Sequence, residues 1–345
     1  MLKYAIMSGV LQEQEISPSV LITGASGFLG KYAVSEFAGN GYEVVATGRN
    51  THALASIEQP GVTTLAVTLE DMRELEMPVD TLIHAAALSS PWGRWRDFYE
   101  SNVDGTEHII RFAVRNKVQR FIYVSSPSIY SGPGDRLNIA EDEYDAGNHL
   151  NHYIRSKLQA EQRLKEAHET GDLPELLVIR PRGLIGIGDP SLVPRLLEAN
   201  RKTGIPLFFD GQNEVDLTCV ENVALALRLA TEARNITDGT FNITNGEPAR
   251  FKDLVDSFFL ALGETPHYKQ INYKVAYYLA AVLEKACMLL PNTPEPPLTR
   301  YTVTTLAHSQ TLDISRARAE LGYQPKLSLV EGIAKFAAHH RSSHV

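Results

Sequence analysis

The run Tyr153-Ile-Arg-Ser-Lys157 sets a phenol and an ammonium four residues apart. On a helix these positions share one face, so both groups can act on one site. A free phenol, with a reference pKa near ~10, is a poor acid–base group at neutral pH. A neighbouring ammonium favours the phenolate and lowers that pKa. The pair then suits proton exchange with an alcohol or carbonyl oxygen. Many helices carry the same spacing without chemistry, so its meaning depends on the surroundings.

A second constellation lies near the N-terminus. Val20-Leu-Ile-Thr-Gly24-Ala-Ser26-Gly27-Phe28-Leu29-Gly30 reads as an apolar strand, a tight turn and a helix start. Gly24 allows the sharp turn, Gly27 lets the backbone approach a pyrophosphate, and Gly30 permits close helix–strand packing. The helix N-terminus offers free N–H groups and the positive dipole end to an anion. Ser26, Phe28 and Leu29 complete this cofactor-facing turn. The next strand ends Ala46-Thr47-Gly48-Arg49-Asn50, with no carboxylate. A carboxylate there would accept hydrogen bonds from the adenosine ribose and repel a 2′-phosphate. Arg49 can instead pair with a phosphate through its fork of donors. NADP(H) is therefore preferred over NAD(H), with Arg49 and Asn50 at its adenosine end.

Alternating short strands and helices must position these groups. Val20–Thr23, Tyr42–Thr47, Thr63–Val67, Thr81–Ala85, Phe121–Ser125 and Leu176–Ile179 read as strands. Helical patterns lie near Val103–Asn116 and Tyr153–Thr170. Such alternation predicts βαβ units and a parallel sheet. After Pro181 the rhythm changes: prolines cluster at Pro291, Pro294, Pro296 and Pro297, and helical patterns dominate from Leu254. The Asn272–Leu290 helix is apolar on most faces, so it must be buried, cover a pocket or touch a partner.

Composition narrows the class. The chain has 345 residues, enough for about two domains, and 43% are hydrophobic. A net charge of −8 argues against binding nucleic acid or anionic lipid nonspecifically. Two distant cysteines, Cys219 and Cys287, make a disulfide framework implausible and fit a reducing cytoplasm. Cys219 reads as a small buried residue, not a nucleophile. No stretch reaches the ~20 apolar residues of a spanning helix, and Met1–Ser19 reads as a lead-in, not a signal peptide. The histidines, His149 and His152 included, lack metal-ligand spacing, and those two read as solvated loop residues.

The Gly-x-x-Gly-x-x-Gly spacing of TGASGFLG resembles the short-chain dehydrogenase/reductase superfamily, specifically its extended branch. That branch includes sugar-nucleotide epimerases, dehydratases and 3β-hydroxysteroid dehydrogenases. The resemblance implies that the strand ending Val124-Ser125-Ser126-Pro127-Ser128 carries the serine that holds the substrate oxygen, matched by Ser126. It adds Val124, Ala85, Ala86, Pro181, Tyr153 and Lys157 to the cofactor contacts. Asn102 falls in the branch's Asn-x-x-Gly-Thr segment and is expected to be structural. An Asp usual near the end of the third strand is replaced by Thr68.

Several segments narrow the resemblance to the 3β-hydroxysteroid dehydrogenase-like group. They are His84 to Trp95, Pro297-Leu-Thr-Arg300-Tyr, and Asp313 to Tyr323. That group includes sterol-4α-carboxylate 3-dehydrogenases and 2-alkyl-3-oxoalkanoate reductases. The fold expected is α/β: a Rossmann-like doubly wound parallel sheet with a smaller, mostly helical C-terminal substrate lobe. Residues 20–180, with a return segment near 215–245, are expected to bind the cofactor. Residues 181–214 and 246–325 would form the lobe, and 326–345 a C-terminal helix and tail.

The expected activity is hydride transfer between NADP(H) and a ketone or secondary alcohol on a small hydrophobic substrate. Ser126 would bind the oxygen, Tyr153 exchange the proton, and Lys157 tune Tyr153 and hold the ribose. Ser89, Trp92, Ser128 and Tyr277 are candidate substrate contacts. A homodimer is common in the branch. The alternatives are a nucleotide-sugar epimerase or dehydratase, with Arg182, Arg195 and Arg201 serving a diphosphate, and a non-catalytic cofactor-binding regulator.

Overall fold

The computed structural model describes residues 18–342. Most of the expected lead-in over residues 1–19, and the last three residues of the tail, lie outside the described residues. Seven short runs of aliphatic and β-branched residues form one sheet. They are β1 (Ser19–Thr23), β2 (Glu43–Gly48), β3 (Val62–Ala66), β4 (Thr81–His84), β5 (Arg120–Val124), β6 (Glu175–Pro181) and β7 (Asp238–Ile243). Their order is β7-β6-β5-β4-β1-β2-β3, and every pair is parallel. The strand order reverses at β1, which lies between β2 and β4. A crevice opens at such a point beyond the strands' C-terminal ends.

The main helices are α1 (Phe28–Ala38), α2 (Gly105–Arg115), α3 (His152–Glu169), α4 (Val220–Glu232), α5 (Tyr273–Leu289) and α6 (Arg300–Ala307). Successive strand residues point to opposite faces and so feed two cores. Ile22, Ile83, Ile122 and Ile179 meet α1 and α4 through Val34, Phe37, Val223 and Leu227. Leu21, Leu82, Phe121 and Val178 meet α2 and α3 through Ile109, Phe112, Ala160 and Leu164. Central strands wrapped on both sides read as continuous apolar runs for this reason.

The second region contains a small four-stranded sheet. Its strands, in order, are Ala249–Arg250, Glu214–Val215, Gln310–Leu312 and Arg136–Ile139. Sequence order hid the last of these, because Arg136–Ile139 precedes α3 yet pairs with Gln310–Leu312. Asn272 caps α5 by accepting from Val275 N at 3.2 Å. Ala276, Ala280 and Glu284 are buried, but Val275, Tyr278, Leu279 and Val282 are exposed. The α5 helix is thus not a core helix: one side packs on the lobe and the other faces outward. No helix among the described residues is long and apolar enough to cross a membrane.

One buried ion pair locks α3 to the sheet. Arg180 of β6 donates from Nη2 to Glu161 Oε2 at 2.5 Å and from Nε to Glu161 Oε1 at 3.0 Å. Its Nη1 reaches the Tyr130 hydroxyl at 2.6 Å and the Glu141 carbonyl at 2.7 Å. Ser125 Oγ donates to the same Glu161 carboxylate. Removing one partner of such a pair leaves an uncompensated buried charge, at a cost of about 3–5 kcal/mol. Glu161→Ala is therefore expected to lower unfolding free energy by about that amount. Urea denaturation measures it, and an unchanged midpoint would show that the clamp contributes nothing net.

Candidate active site

The glycine loop crosses from the end of β1 to the start of α1. Gly24 has φ +68°, a left-handed conformation, and a Cβ there would lie 2.8 Å from the Ala86 backbone. A Cβ on Gly30 would lie 2.2 Å from the Gly24 carbonyl oxygen. These two glycines let the loop, the helix and the β4 exit close on one another. Gly27 differs: it is exposed, and its φ of −75° suits any residue. As N-cap it offers no side chain to the first turn of α1. The N–H groups there stay open to an anion, which is the fit a dinucleotide pyrophosphate needs.

Several other cofactor candidates converge on this loop. Ser26 lies against β2, since a Cβ on Gly48 would sit 3.0 Å from its Oγ. Phe28 and Leu29, half-buried, open α1 beside it. Arg49 follows Gly48 directly; it is exposed and has no side-chain partner among the described residues. Asn50 accepts from Ala53 N at 3.0 Å, so its carbonyl oxygen is engaged as a helix cap. Thr68 also caps a helix, accepting from Asp71 N at 3.0 Å, so the position of the family's usual Asp is a local turn. Ala85 and Ala86 leave β4 half-buried, and Ala86 N donates to Thr23 Oγ1 at 3.2 Å.

His84 belongs to the scaffold below. Thr106 Oγ1 donates to the Asn102 carbonyl at 2.6 Å, so it accepts from His84 Nε2 at 3.2 Å. His84 Nδ1 then accepts from the Thr23 hydroxyl at 2.7 Å, which fixes a neutral tautomer. Burial, helped by the charge of Lys157, pushes its pKa down to about 3.

The expected serine and tyrosine come together. Ser126 follows the end of β5 and caps the short turn Pro127–Tyr130; its Oγ accepts from Ser128 N at 3.2 Å. The Ser126 and Ser128 hydroxyls are 2.9 Å apart. Burial raises the Tyr153 pKa, and hydrogen bonding to Ser126 and Ser89 opposes the rise. Ser89, exposed on the β4 exit, thus belongs to the same cluster. Ser125 points elsewhere, to Glu161.

Lys157 is 1% exposed, and its Nζ donates to the Val124 carbonyl at 2.8 Å, over the Tyr123 ring at 4.3 Å. Burial brings its pKa down to about 7, with Glu161 acting the other way. The bond to Val124 draws Lys157 to the end of β5, while the hydrogen bonds that oppose the rise at Tyr153 come from Ser126 and Ser89.

Asn102, buried in a π-helical turn at Tyr99–Asp104, holds the cluster's frame. Its Oδ1 accepts from Leu88 N at 2.7 Å and its Nδ2 donates to Ser156 Oγ at 2.9 Å. It thereby ties the loop carrying Ser89 to the helix carrying Tyr153, as its structural reading required. Trp92 donates from Nε1 to the Thr293 carbonyl at 3.0 Å, pinning this loop to the lobe. Neighbouring Trp95 lies 3.9 Å below Arg155. His152 is not a solvated loop residue: its Nδ1 meets the Gly93 carbonyl at 3.0 Å, and its ring packs on Trp95 and Phe98. His149 is exposed.

Pro181 ends β6, buried and paired in register with Ile243. Tyr277 packs with Tyr273 and Leu298 in the lobe, around the buried side of α5. Cys219 is fully buried, and its thiol pKa is pushed up to about 12 by that burial. Sequence reasoning missed Tyr301 of α6, which packs against Ile129 and Ile154 and whose pKa burial raises while the Arg182 charge opposes the rise. Its only signal was membership of a quoted segment some 150 residues downstream of Tyr153.

The doubly wound parallel sheet, with an open glycine turn at its switch point, defines a Rossmann-like nucleotide-binding enzyme class. The NAD dependent epimerase/dehydratase family model matches residues 20–244. The chain belongs to that family, as an enzyme of the extended short-chain dehydrogenase/reductase type. It is 31% identical over 328 residues to a 2-alkyl-3-oxoalkanoate reductase of Stenotrophomonas maltophilia, covering 92% of this chain and 98% of that protein. It is 29% identical over 326 residues to a mouse (Mus musculus) sterol-4-alpha-carboxylate 3-dehydrogenase, decarboxylating, covering 91% and 88%. Among solved structures it is similar in fold to a UDP-glucuronic acid 4-epimerase from Bacillus cereus in complex with NAD. The TM-score is 0.75 at 20% identity, with 94% of this chain and 96% of that one covered.

The buried lysine generates a test. A lowered folded-state pKa means that the unfolded chain holds a proton the folded chain has lost between about 7 and the reference ~10.4. Over that window, stability gains with rising pH, by up to about 1.4 kcal/mol per pH unit. Relative to Lys157→Met, the wild type is expected to gain stability between pH 7 and 9. Urea denaturation at both pH values checks this, and parallel behaviour of the two proteins would contradict it.

Proposed function

We propose that the protein is an NADP(H)-dependent oxidoreductase that interconverts a ketone and a secondary alcohol on a hydrophobic, 2-alkyl-3-oxo acid-like or steroid-like substrate. The observation that carries the reading is the meeting of Ser126 and Tyr153 beside the open glycine turn. Residues 20–180, with the return near 215–245, hold the cofactor. Residues 181–214 and 246–325 build the substrate side.

Ser126 and Tyr153 are the two hydroxyls that receive the substrate oxygen. Ser126 is oriented by Ser128 and by the turn it caps, so its position is set before substrate binds. Burial keeps the Tyr153 phenol protonated, the state of a proton donor in ketone reduction. Lys157 anchors the floor of the site at the Val124 carbonyl and presents a donor to the ribose. When bound, the reduced nicotinamide supplies the hydride that the carbonyl carbon receives. Gly24, Gly27, Gly30 and the first turn of α1 hold its pyrophosphate, with Ala85, Ala86 and Pro181 lining the path. Arg49, exposed and without a side-chain partner among the described residues, receives the 2′-phosphate.

A nucleotide sugar is a poorer fit. Arg195, one of its candidate diphosphate ligands, is exposed and paired with Glu295 at 3.4 Å. The serine turn continues with Pro127 and Ser128, where a dehydratase needs carboxylates.

Tyr153→Phe is expected to reduce kcat by about 10²–10⁴-fold while NADPH titration by fluorescence stays near wild type. Unchanged turnover would sink the mechanism. The substrate reading is tested by following NADPH oxidation with 3-oxosteroids, 2-alkyl-3-oxo acids and nucleotide sugars; activity confined to the sugars reverses it. Arg49→Asp is expected to weaken NADPH binding by about tenfold or more while sparing NADH. Equal NADPH affinity in that variant would remove Arg49 from the phosphate site.

A further inference from the structure

Three arginines are deeply buried among the described residues: Arg120, Arg180 and Arg182, at 5%, 2% and 8% exposure. Two are neutralised. Arg120 meets Glu175 at 2.6 Å and three backbone carbonyls, and Arg180 meets Glu161 at 2.5 Å. Arg182 has no carboxylate at ion-pair distance among the described residues. Its one side-chain hydrogen bond runs from Nη1 to Gln310 Oε1, and its Nε is buried with no partner. The carboxyl whose charge it feels, Asp216, accepts from Leu312 N at 2.7 Å and is pushed up to about 6 by its own burial. A fold does not leave a buried guanidinium half-paired without cost, so an anion is the missing partner.

Its location says whose anion. Arg182 follows the last residue of β6, and β6 pairs with β5, whose end carries Ser126. Its backbone is held from both sides: its N–H donates to the Ile243 carbonyl at 3.0 Å, and Thr218 Oγ1 donates to its carbonyl. Tyr301, whose burial-raised pKa the Arg182 charge opposes, packs against Ile129 of the serine turn and Ile154 beside Tyr153.

We propose that Arg182 anchors a substrate carboxylate carried on the carbon next to the reacting carbonyl. This deepens, and rests on, the ketone–alcohol reading above. In a 3-oxo acid one carbon separates the two groups, so holding the carboxylate sets where the ketone oxygen lies relative to Ser126 and Tyr153. The planar guanidinium fork matches a carboxylate with two parallel hydrogen bonds and fixes orientation as well as charge. Arg182 therefore determines specificity: it selects acids over their esters, and the apolar remainder of the substrate contributes binding without setting register.

The test uses the full-length protein with NADP⁺, a 2-alkyl-3-hydroxyalkanoate and its methyl ester. Binding of a 2-alkylalkanoate, which cannot react, is measured by calorimetry beside its methyl ester. In Arg182→Gln, the acid-over-ester preference in kcat/KM and in Kd is expected to fall by about 10–100-fold, with the kinetic loss mainly in KM. Arg182→Lys, which keeps charge and loses the fork, is expected to fall between the two and guards against a folding defect. An unchanged preference in both variants, or equal losses for acid and ester, overturns the anchor. If the wild type oxidises neither compound, the ketone–alcohol reading fails for this class. Calorimetry then decides the anchor alone: Arg182-dependent preference for the acid upholds it, and none rejects it. Arg182-dependent binding of UDP without any of the acid would make the residue a diphosphate ligand and overturn the proposal.

Discussion

The whole candidate site depends on one carboxylate. Glu161 stands four residues beyond Lys157 and eight beyond Tyr153, so all three project from one side of α3. From there it accepts both arms of Arg180 on β6 and the hydroxyl of Ser125 at the end of β5. Those are the strands next to the serine turn and to Arg182. A one-turn slip of α3 would move Tyr153 about 5.4 Å and separate it from Ser126. The clamp opposes that slip with a buried, hydrogen-bonded ion pair, and Asn102 opposes it from the other edge through Ser156. A buried ion pair contributes little as net stability, and its use here is register.

Burial then acts on the two titratable groups in opposite senses. It raises the Tyr153 pKa and lowers that of Lys157, because it penalises whichever form is charged. The result is a protonated phenol above an amine that loses its proton near neutrality. The Lys157 hydrogen bond to Val124 needs only an N–H, so it survives in either state. His84 carries no charge either, held between Thr23 and Thr106. Beneath Tyr153 the fixed charge is thus low, and the buried charge near the end of β6 that no carboxylate meets among the described residues is that of Arg182.

Local features were legible in the sequence. The glycine turn, the serine after β5 and the Tyr153/Lys157 pair are each set by residues within one βα unit, so their spacing carries their geometry. Asn102 was also readable as structural. What escaped was long-range. Helix spacing put Lys157 and Tyr153 on one face, but it could not show the bond from Lys157 Nζ to the Val124 carbonyl at the end of β5. The outward side of α5 could not be told from its composition, since apolar residues lie on both its packed and its open sides. Tyr301 and the strand pair Arg136–Ile139 with Gln310–Leu312 join segments more than a hundred residues apart, for which period and motif give no signal.

Arg180 and Arg182 make the division between scaffold and site concrete. They are two residues apart at one strand end, both buried and chemically identical. One finds Glu161, Tyr130 and Glu141 and becomes part of the frame. The other finds a single side-chain amide among the described residues, and there its Nε has no partner. Composition, with its net −8, cannot distinguish them, because a sum of charges carries no positions. The distinction is local: a charge completed by the protein holds structure, and a charge left incomplete under burial is held in reserve for a ligand.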